Sequence, residues 1–192
     1  MLAILAPGQG SQTPGMLTAW LEDAELKNLL TSYSSAINLD LERLGTVADA
    51  DQIKDTANAQ PLIVAASLIS AHALGSDVNA SFAAGHSVGE IAAAALAGTI
   101  TDIDAMKLVH LRGQEMAKAA ALAPAGMAAV LGGERSVVLA AIKELGLVAA
   151  NDNGGGQVVI SGAKAAVERA IEIAKEKGVK AHLLAKLEYF NP

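Results

Sequence analysis

The sequence predicts an α/β protein: a parallel-sheet core with one sharp strand-to-helix turn, followed by a smaller α+β unit. Three observations predict this. Leu2 to Ala6 and Phe82 to Ala84 are short continuous apolar runs, which suits buried parallel strands. Gly85-His86-Ser87-Val88-Gly89 stands between the second run and the helix-forming Glu90 to Ala97. Beyond Ala125 the pattern reads β-α-β-β-α-β, the order of a ferredoxin-like unit. With 192 residues, 52% of them hydrophobic and 18% charged, the chain can bury one large domain, or one domain with a small insert. Aromatics are only 3%, so alanine does much of the packing, which favours helices set closely on a sheet.

The first strand runs into Pro7-Gly8-Gln9-Gly10-Ser11-Gln12. Open α/β sheets place their active sites in such loops, although a plain strand-ending turn fits these residues equally. Met16 to Glu22 and Glu25 to Ser32 read as short helices. Asp51 to Leu74 reads as helical with a break at Gln60-Pro61, because proline suits a first helical turn. Leu62 to Leu74 is apolar nearly all round and is expected to be buried; His72 within it reads as a packed or capping residue.

Thr101 starts a further helix, with Asp104 three residues on in a capping arrangement. Ile103, Met106, Val109 and Met116 form its apolar stripe. Arg112 lies four residues from both Leu108 and Met116, so its face is largely apolar. Snorkelling, pairing with Glu115 and pointing into a pocket all remain open for it.

In the second unit Met127 to Leu131 reads as a strand, and Val138, Ala141, Ile142 and Leu145 give a helix closed by Gly146. Leu147 to Asn151 and Gln157 to Ser161 read as strands joined by Asp152-Asn153-Gly154-Gly155-Gly156. Val167, Ala170, Ile171 and Ala174 mark a second helix closed by Gly178. Val179 to Leu184 is the last strand, with His182 on its polar side.

Composition narrows the partners. A net charge of −6 argues against nucleic acid, and with no cysteine there is neither a disulfide framework nor a thiolate metal site. The apolar start, residues 1–7, is too short and uncharged for a signal peptide, and no run approaches a membrane span of roughly 18 residues. A cytoplasmic protein without membrane contact is expected.

Ser87 is the main candidate for chemistry. G-x-S-x-G between a strand and a helix is the pattern of a nucleophile elbow. So tight a turn needs small residues beside the serine, hence Gly85 and Gly89. It would lift the hydroxyl clear of the sheet and set it at a helix N-terminus, where N–H groups and the helix dipole favour developing negative charge. An ordinary glycine-rich turn would carry the same letters.

Five segments occur together in order: Gly8-Gln9-Gly10-Ser11-Gln12, Gln60-Pro61, Gly85-His86-Ser87-Val88-Gly89-Glu90, Leu111-Arg112-Gly113 and Val159-Ile160-Ser161-Gly162. On these residues the chain resembles the acyl-carrier-protein S-malonyltransferases, relatives of the acyltransferase domains of fatty-acid and polyketide synthases. The resemblance runs to about Ala185. It implies a hydrolase-like α/β core over residues 1–125, a ferredoxin-like subdomain over 126–185 and a divergent tail over 186–192.

It also implies an activity. Ser87 would take a malonyl group from malonyl-CoA as an ester and pass it to the phosphopantetheine thiol of acyl carrier protein. The backbone N–H groups of Gln12 and Val88 would form the oxyanion hole. Arg112 would pair bidentately with the malonyl carboxylate. His86, Gln9, Gly10 and Asn151, with Gln157 near them, would serve the substrate pocket. No permanently bound cofactor and no metal are implied.

One position departs from the family. The family has a histidine base just after the ferredoxin-like subdomain, preceded by phenylalanine. With Leu183-Leu184-Ala185 aligned, Phe190 falls on that phenylalanine and Asn191 on the histidine. His72, His110 and His182 stand elsewhere by motif. The family's core continues past Pro192, so the chain is expected to be truncated and impaired as a transferase. A serine hydrolase or thioesterase shares the elbow, although Arg112 and the Gly8–Gln12 loop speak against it. A non-catalytic module that binds acyl-CoA or the carrier protein is the reading from another class.

Overall fold

Aspartates divide the first third of the chain more finely than its apolar pattern does. In the computed structural model, which describes residues 1–75, 80–122 and 125–183, four successive helices each begin on an aspartate cap. Asp23 accepts from the Glu25 and Leu26 N–H groups and starts α1 (Ala24–Ile37). Asp40 accepts from Arg43 N–H and starts α2 (Leu41–Thr46). Asp49 and Gln52 form a reciprocal capping box on α3 (Ala50–Lys54). Asp55 accepts from Ala57 N–H and starts α4 (Thr56–Ala73). A capped helix end satisfies N–H groups that lack intrahelical partners, typically worth about 1 kcal/mol.

These caps correct several expectations. The helix expected from Asp51 to Leu74 breaks at Asp55, not at Gln60-Pro61. Pro61 lies inside α4, one turn beyond its start, where it lacks the N–H that would bond the Ala57 carbonyl. The helix expected over Glu25 to Ser32 runs on to Ile37, and Met16 to Glu22 holds only a 3-10 turn at Trp20–Glu22. Helix α2 was not expected at all.

Helix α4 is the buried axis of the first unit. Leu62, Ile63, Val64, Ala65, Leu68 and Ile69 are almost fully enclosed, in one core with Leu30, Tyr33, Leu41 and Ile53. Strands β1 (Ala3–Ala6) and β2 (Phe82–Gly85) pair in parallel, Ala3 opposite Phe82 and Ala6 opposite Gly85. Helix α5 (Gly89–Leu96) packs against both strands. The strands were expected to be buried, but Leu5 and Phe82 are 75% and 58% exposed, and only Ala6 is enclosed in either strand. Helix α6 (Asp102–Ala121) carries the expected cap, with Asp104 N–H donating to Thr101 Oγ1 at 3.1 Å. Its buried face is Ala105, Met106, Val109 and Gly113.

The described residues form two compact units, one ending at Glu115 and one starting at Met116. In the second, β3 (Ala125–Leu131), α7 (Arg135–Glu144), β4 (Val148–Gly154), β5 (Gln157–Ala163), α8 (Lys164–Glu176) and β6 (Lys180–Leu183) follow the expected order. The sheet is antiparallel in the order β4-β5-β3-β6. Helices α7 and α8 close a core of Ala128, Val130, Ile142, Leu147, Val158, Ile160 and Val167. Strand β4 extends through Asp152 to Gly154, beyond the expected end at Asn151, so the hairpin turn is shorter than expected. His182 is exposed, as expected. Leu184, Phe190 and Asn191 lie outside the described residues. No helix among the described residues is long and apolar enough to cross a membrane.

Candidate active site

The link from β2 to α5 is built on absent side chains. A Cβ on Gly85 would fall on the backbone of Gly89, and a Cβ on Gly89 would fall on the carbonyl of Ala6. His86 N–H donates to Ala6 O at 3.1 Å, Gly89 N–H to His86 O at 3.0 Å and Glu90 N–H to Ser87 O at 3.0 Å. Ser87 itself has a positive φ of 54°, a conformation that strains most non-glycine residues by about 1–3 kcal/mol. This is the strand-turn-helix setting that the G-x-S-x-G pattern requires. Ser87 is exposed and the Val88 side chain is fully buried, so the turn is anchored on one side and open on the other. The Val88 N–H, at the start of α5, makes no hydrogen bond among the described residues.

The loop after β1 lies against this turn. A Cβ on Gly8 would sit 2.5 Å from His86 Nδ1, so the loop passes close to the His86 ring. Gly10 has φ 106°, a conformation proper to glycine. The Gln12 side chain fastens the loop: its Oε1 accepts from Gly10 N–H at 2.8 Å, and its Nε2 donates to Ile53 O at 3.1 Å.

Arg112 reaches the same place from α6. Its Nη1 donates to Gln60 Oε1 at 2.6 Å, and its Nη2 donates to Ser87 Oγ at 3.3 Å. Gln60 Nε2 donates to Gln9 Oε1 at 3.4 Å, and Gln9 Nε2 to Thr56 Oγ1 at 3.3 Å. Gly113 makes the approach possible: a Cβ there would stand 3.0 Å from Thr56 O and 3.3 Å from Ala57 Cα. As for the readings open for Arg112, its bonds run to Gln60 on α4 and to Ser87 on the turn, both outside its own helix. No carboxylate lies within ion-pair reach of Arg112 among the described residues.

Gln9, Gly10, Gln12, His86, Ser87, Val88 and Arg112 thus share the first unit, most of them in one connected cluster. Asn151 stands in the second unit, an exposed residue of β4 opposite Val159. Gln157, in the same unit as Asn151, accepts from Asn153 Nδ2 at 2.7 Å. Gln60 and Thr56, both 1% exposed, complete the cluster, and Thr56 carries no motif in the sequence. Gln60-Pro61 was visible as a motif but reads first as a helix-start signal.

Chemically, the cluster presents a raised hydroxyl, a helix N-terminus and a guanidinium with no carboxylate partner among the described residues. No imidazole or carboxylate bonds Ser87 Oγ among the described residues. His72 contacts Asp102 at 2.8 Å, and His110 contacts Gln114 at 3.0 Å. No group of three potential metal-ligating side chains occurs among the described residues.

Residues 4–188 match the acyl transferase domain family. The chain belongs to that family. It is 49% identical over 192 residues to the malonyl CoA-acyl carrier protein transacylase of Mycobacterium bovis, a match covering 96% of this chain and 62% of the relative. In structure it is similar to MCAT from Mycobacterium tuberculosis, with 48% identity, a TM-score of 0.90, and coverage of 96% of this chain and 62% of the other. It is similar also to a structure of a type II PKS acyl-carrier protein in complex with its malonyl-transacylase. That match has 34% identity, a TM-score of 0.86, and coverage of 96% and 62%. The chain thus spans 62% of the length of these acyl transferase relatives.

Proposed function

We propose that this acyl transferase chain carries the acyl-accepting half of a malonyl-CoA:acyl-carrier-protein transacylase, acting in the cytoplasm. The observation that carries the reading is the Arg112 guanidinium, held by Gln60 and reaching to 3.3 Å from Ser87 Oγ. A nucleophile beside a guanidinium that has no carboxylate partner among the described residues suits an acyl group that ends in a carboxylate.

In the first step Ser87 Oγ attacks the thioester carbonyl of malonyl-CoA. The C–O bond forms, the C–S bond breaks, coenzyme A leaves as its thiol, and the serine proton passes through a base. In the second step the phosphopantetheine thiol of acyl carrier protein attacks the ester and regenerates Ser87. The N–H groups of Gln12 and Val88 would hold the oxyanion, while the malonyl carboxylate rests on Arg112. Every bond changed is an acyl bond, so the reaction needs no bound cofactor. The base is the weak link, because asparagine, the residue at position 191, cannot accept a proton at neutral pH.

The test is intact-mass analysis of the chain after incubation with malonyl-CoA or acetyl-CoA, followed by addition of holo acyl carrier protein. A malonyl adduct on Ser87 that the carrier protein discharges supports the reading. A chain that binds malonyl-CoA without ever forming an adduct supports the non-catalytic binding module instead, and release of malonate to water supports a hydrolase.

A further inference from the structure

Gln60 is a side-chain amide on a helix otherwise walled in by leucine, isoleucine and valine, and it is 1% exposed. Burial of an amide is unfavourable unless its groups are hydrogen-bonded, so its bonds reveal its use. The Oε1 faces Arg112 Nη1 at 2.6 Å, and the Nε2 faces Gln9 Oε1 at 3.4 Å. The reverse amide orientation would set a donor against a donor at Arg112. Gln9 is itself fixed by Thr56 at 3.3 Å. Three neutral side chains therefore aim one guanidinium.

Of the other arginines, exposed Arg43 donates to Gln52 Oε1 at 3.4 Å, and two are held by carboxylates. Arg135 is paired with Asp152 at 2.7 Å and Arg169 with Glu172 at 3.0 Å. A carboxylate at position 60 would hold Arg112 more strongly, but it would also neutralise it. A neutral amide fixes the direction of the fork and leaves its charge for a ligand. We infer that Gln60 is a positioning residue that orients Arg112 without compensating it, and so sets the site's preference for acyl groups ending in a carboxylate. This rests on the function proposed above.

The experiment compares the wild-type chain with Gln60→Glu and Gln60→Met, measuring equilibrium dissociation constants for malonyl-CoA and acetyl-CoA. Gln60→Glu keeps an acceptor for Arg112 and adds a charge; Gln60→Met keeps the volume and removes the acceptor. Malonyl-CoA affinity is expected to fall by at least about tenfold in Gln60→Glu, with acetyl-CoA affinity within about twofold of wild type. Gln60→Met should lose a smaller part of the preference, because the guanidinium stays charged but loses its direction. Thermal melting of each variant establishes that the fold persists; if Gln60→Glu does not fold, Gln60→Met carries the test alone.

An unchanged malonyl-to-acetyl ratio in the folded variants overturns the inference. So does an equal loss for both ligands, which would make Gln60 a packing residue only. A wild-type chain that does not prefer malonyl-CoA would instead overturn the proposed function itself, and the inference with it.

Discussion

Arg112→Ala tests the substrate preference most directly. The substitution removes a half-buried guanidinium that stands 2.6 Å from Gln60 Oε1 and 3.3 Å from Ser87 Oγ. Truncating one partner of a desolvated charge pair costs about 2–5 kcal/mol. Arg112 is partly solvated and therefore partly screened, which places the loss at the low end. The expected loss is about 2–3 kcal/mol, or roughly 30- to 150-fold in malonyl-CoA affinity. Acetyl-CoA offers no carboxylate, so its affinity should hold or improve. Arg112→Lys should fall between, since an ammonium keeps the charge but not the two-pronged geometry. The assay is competition binding of both thioesters, run well below the melting temperature because buried Gln60 loses its Arg112 bond. Equal losses for malonyl-CoA and acetyl-CoA would refute the reasoning and make Arg112 structural.

The loop and the elbow give further expectations. Gly10→Val forces a β-branched residue into φ 106°, and should slow Ser87 labelling by malonyl-CoA more than Gln12→Ala does. Gln12→Ala should still slow it, because the bonds to Gly10 N–H and Ile53 O are lost; the opposite ranking would mean that the Gln12 side chain carries the role. Gly113→Ala presses a methyl against Thr56 O and Ala57 Cα, and is expected to cost about 1–3 kcal/mol in urea unfolding and to weaken malonyl selectivity; a neutral result would show that α6 and α4 can part freely. Burial, then the hydrogen bond and negative charge of Asp102, raise the Tyr33 pKa above its usual 10.0. A folded-state pKa above the unfolded one means that this stability is fully present below pH 10.0 and is lost as pH rises beyond it, by up to about 1.4 kcal/mol per unit. Tyr33→Phe should flatten that alkaline limb in denaturant titrations; an unchanged limb would assign it to other groups.

Legibility differs by element for physical reasons. Helix α8 is plain in the sequence because Val167, Ala170, Ile171 and Ala174 repeat at helical spacing and Gly178 stops them. Helix α2 is not, because it is six residues long and contains Gly45, which reads as a breaker. Gly45 is there for a tertiary reason: a Cβ would run into the Leu17 side chain. The break at Asp55 was available in principle, since Asp49 with Gln52 spells a capping box and Asp55 follows one helical turn later. The apolar length of the segment and the helix-start meaning of Pro61 outweighed that signal. In the site, the serine and its glycines are local and readable. The direction of Arg112 is not, because periodicity gives the face of a helix but not what stands opposite. The role of Gln60 is hidden for the same reason, although the residue stands in a readable motif, because that role depends on a partner 52 residues away.

The case that this cluster exists for a ligand rests on where the fold accepts unfavourable features. Among the described residues, two non-glycine residues have positive φ, Asn38 and Ser87. Asn38 closes α1 as a left-handed C-cap, a place where asparagine is suited, so its conformation has a structural reason. Ser87 ends no helix, and serine has no such aptitude. A few ångströms from it, the chain keeps a half-buried guanidinium with no carboxylate partner among the described residues and buries a glutamine amide to hold it. Each feature alone could be an accident of packing. Together, in one hydrogen-bonded cluster, they lie where a bound anion would offset one of them and covalent chemistry would use another. A fold selected for stability alone would relax the serine, pair the arginine and fill the glutamine's place with leucine.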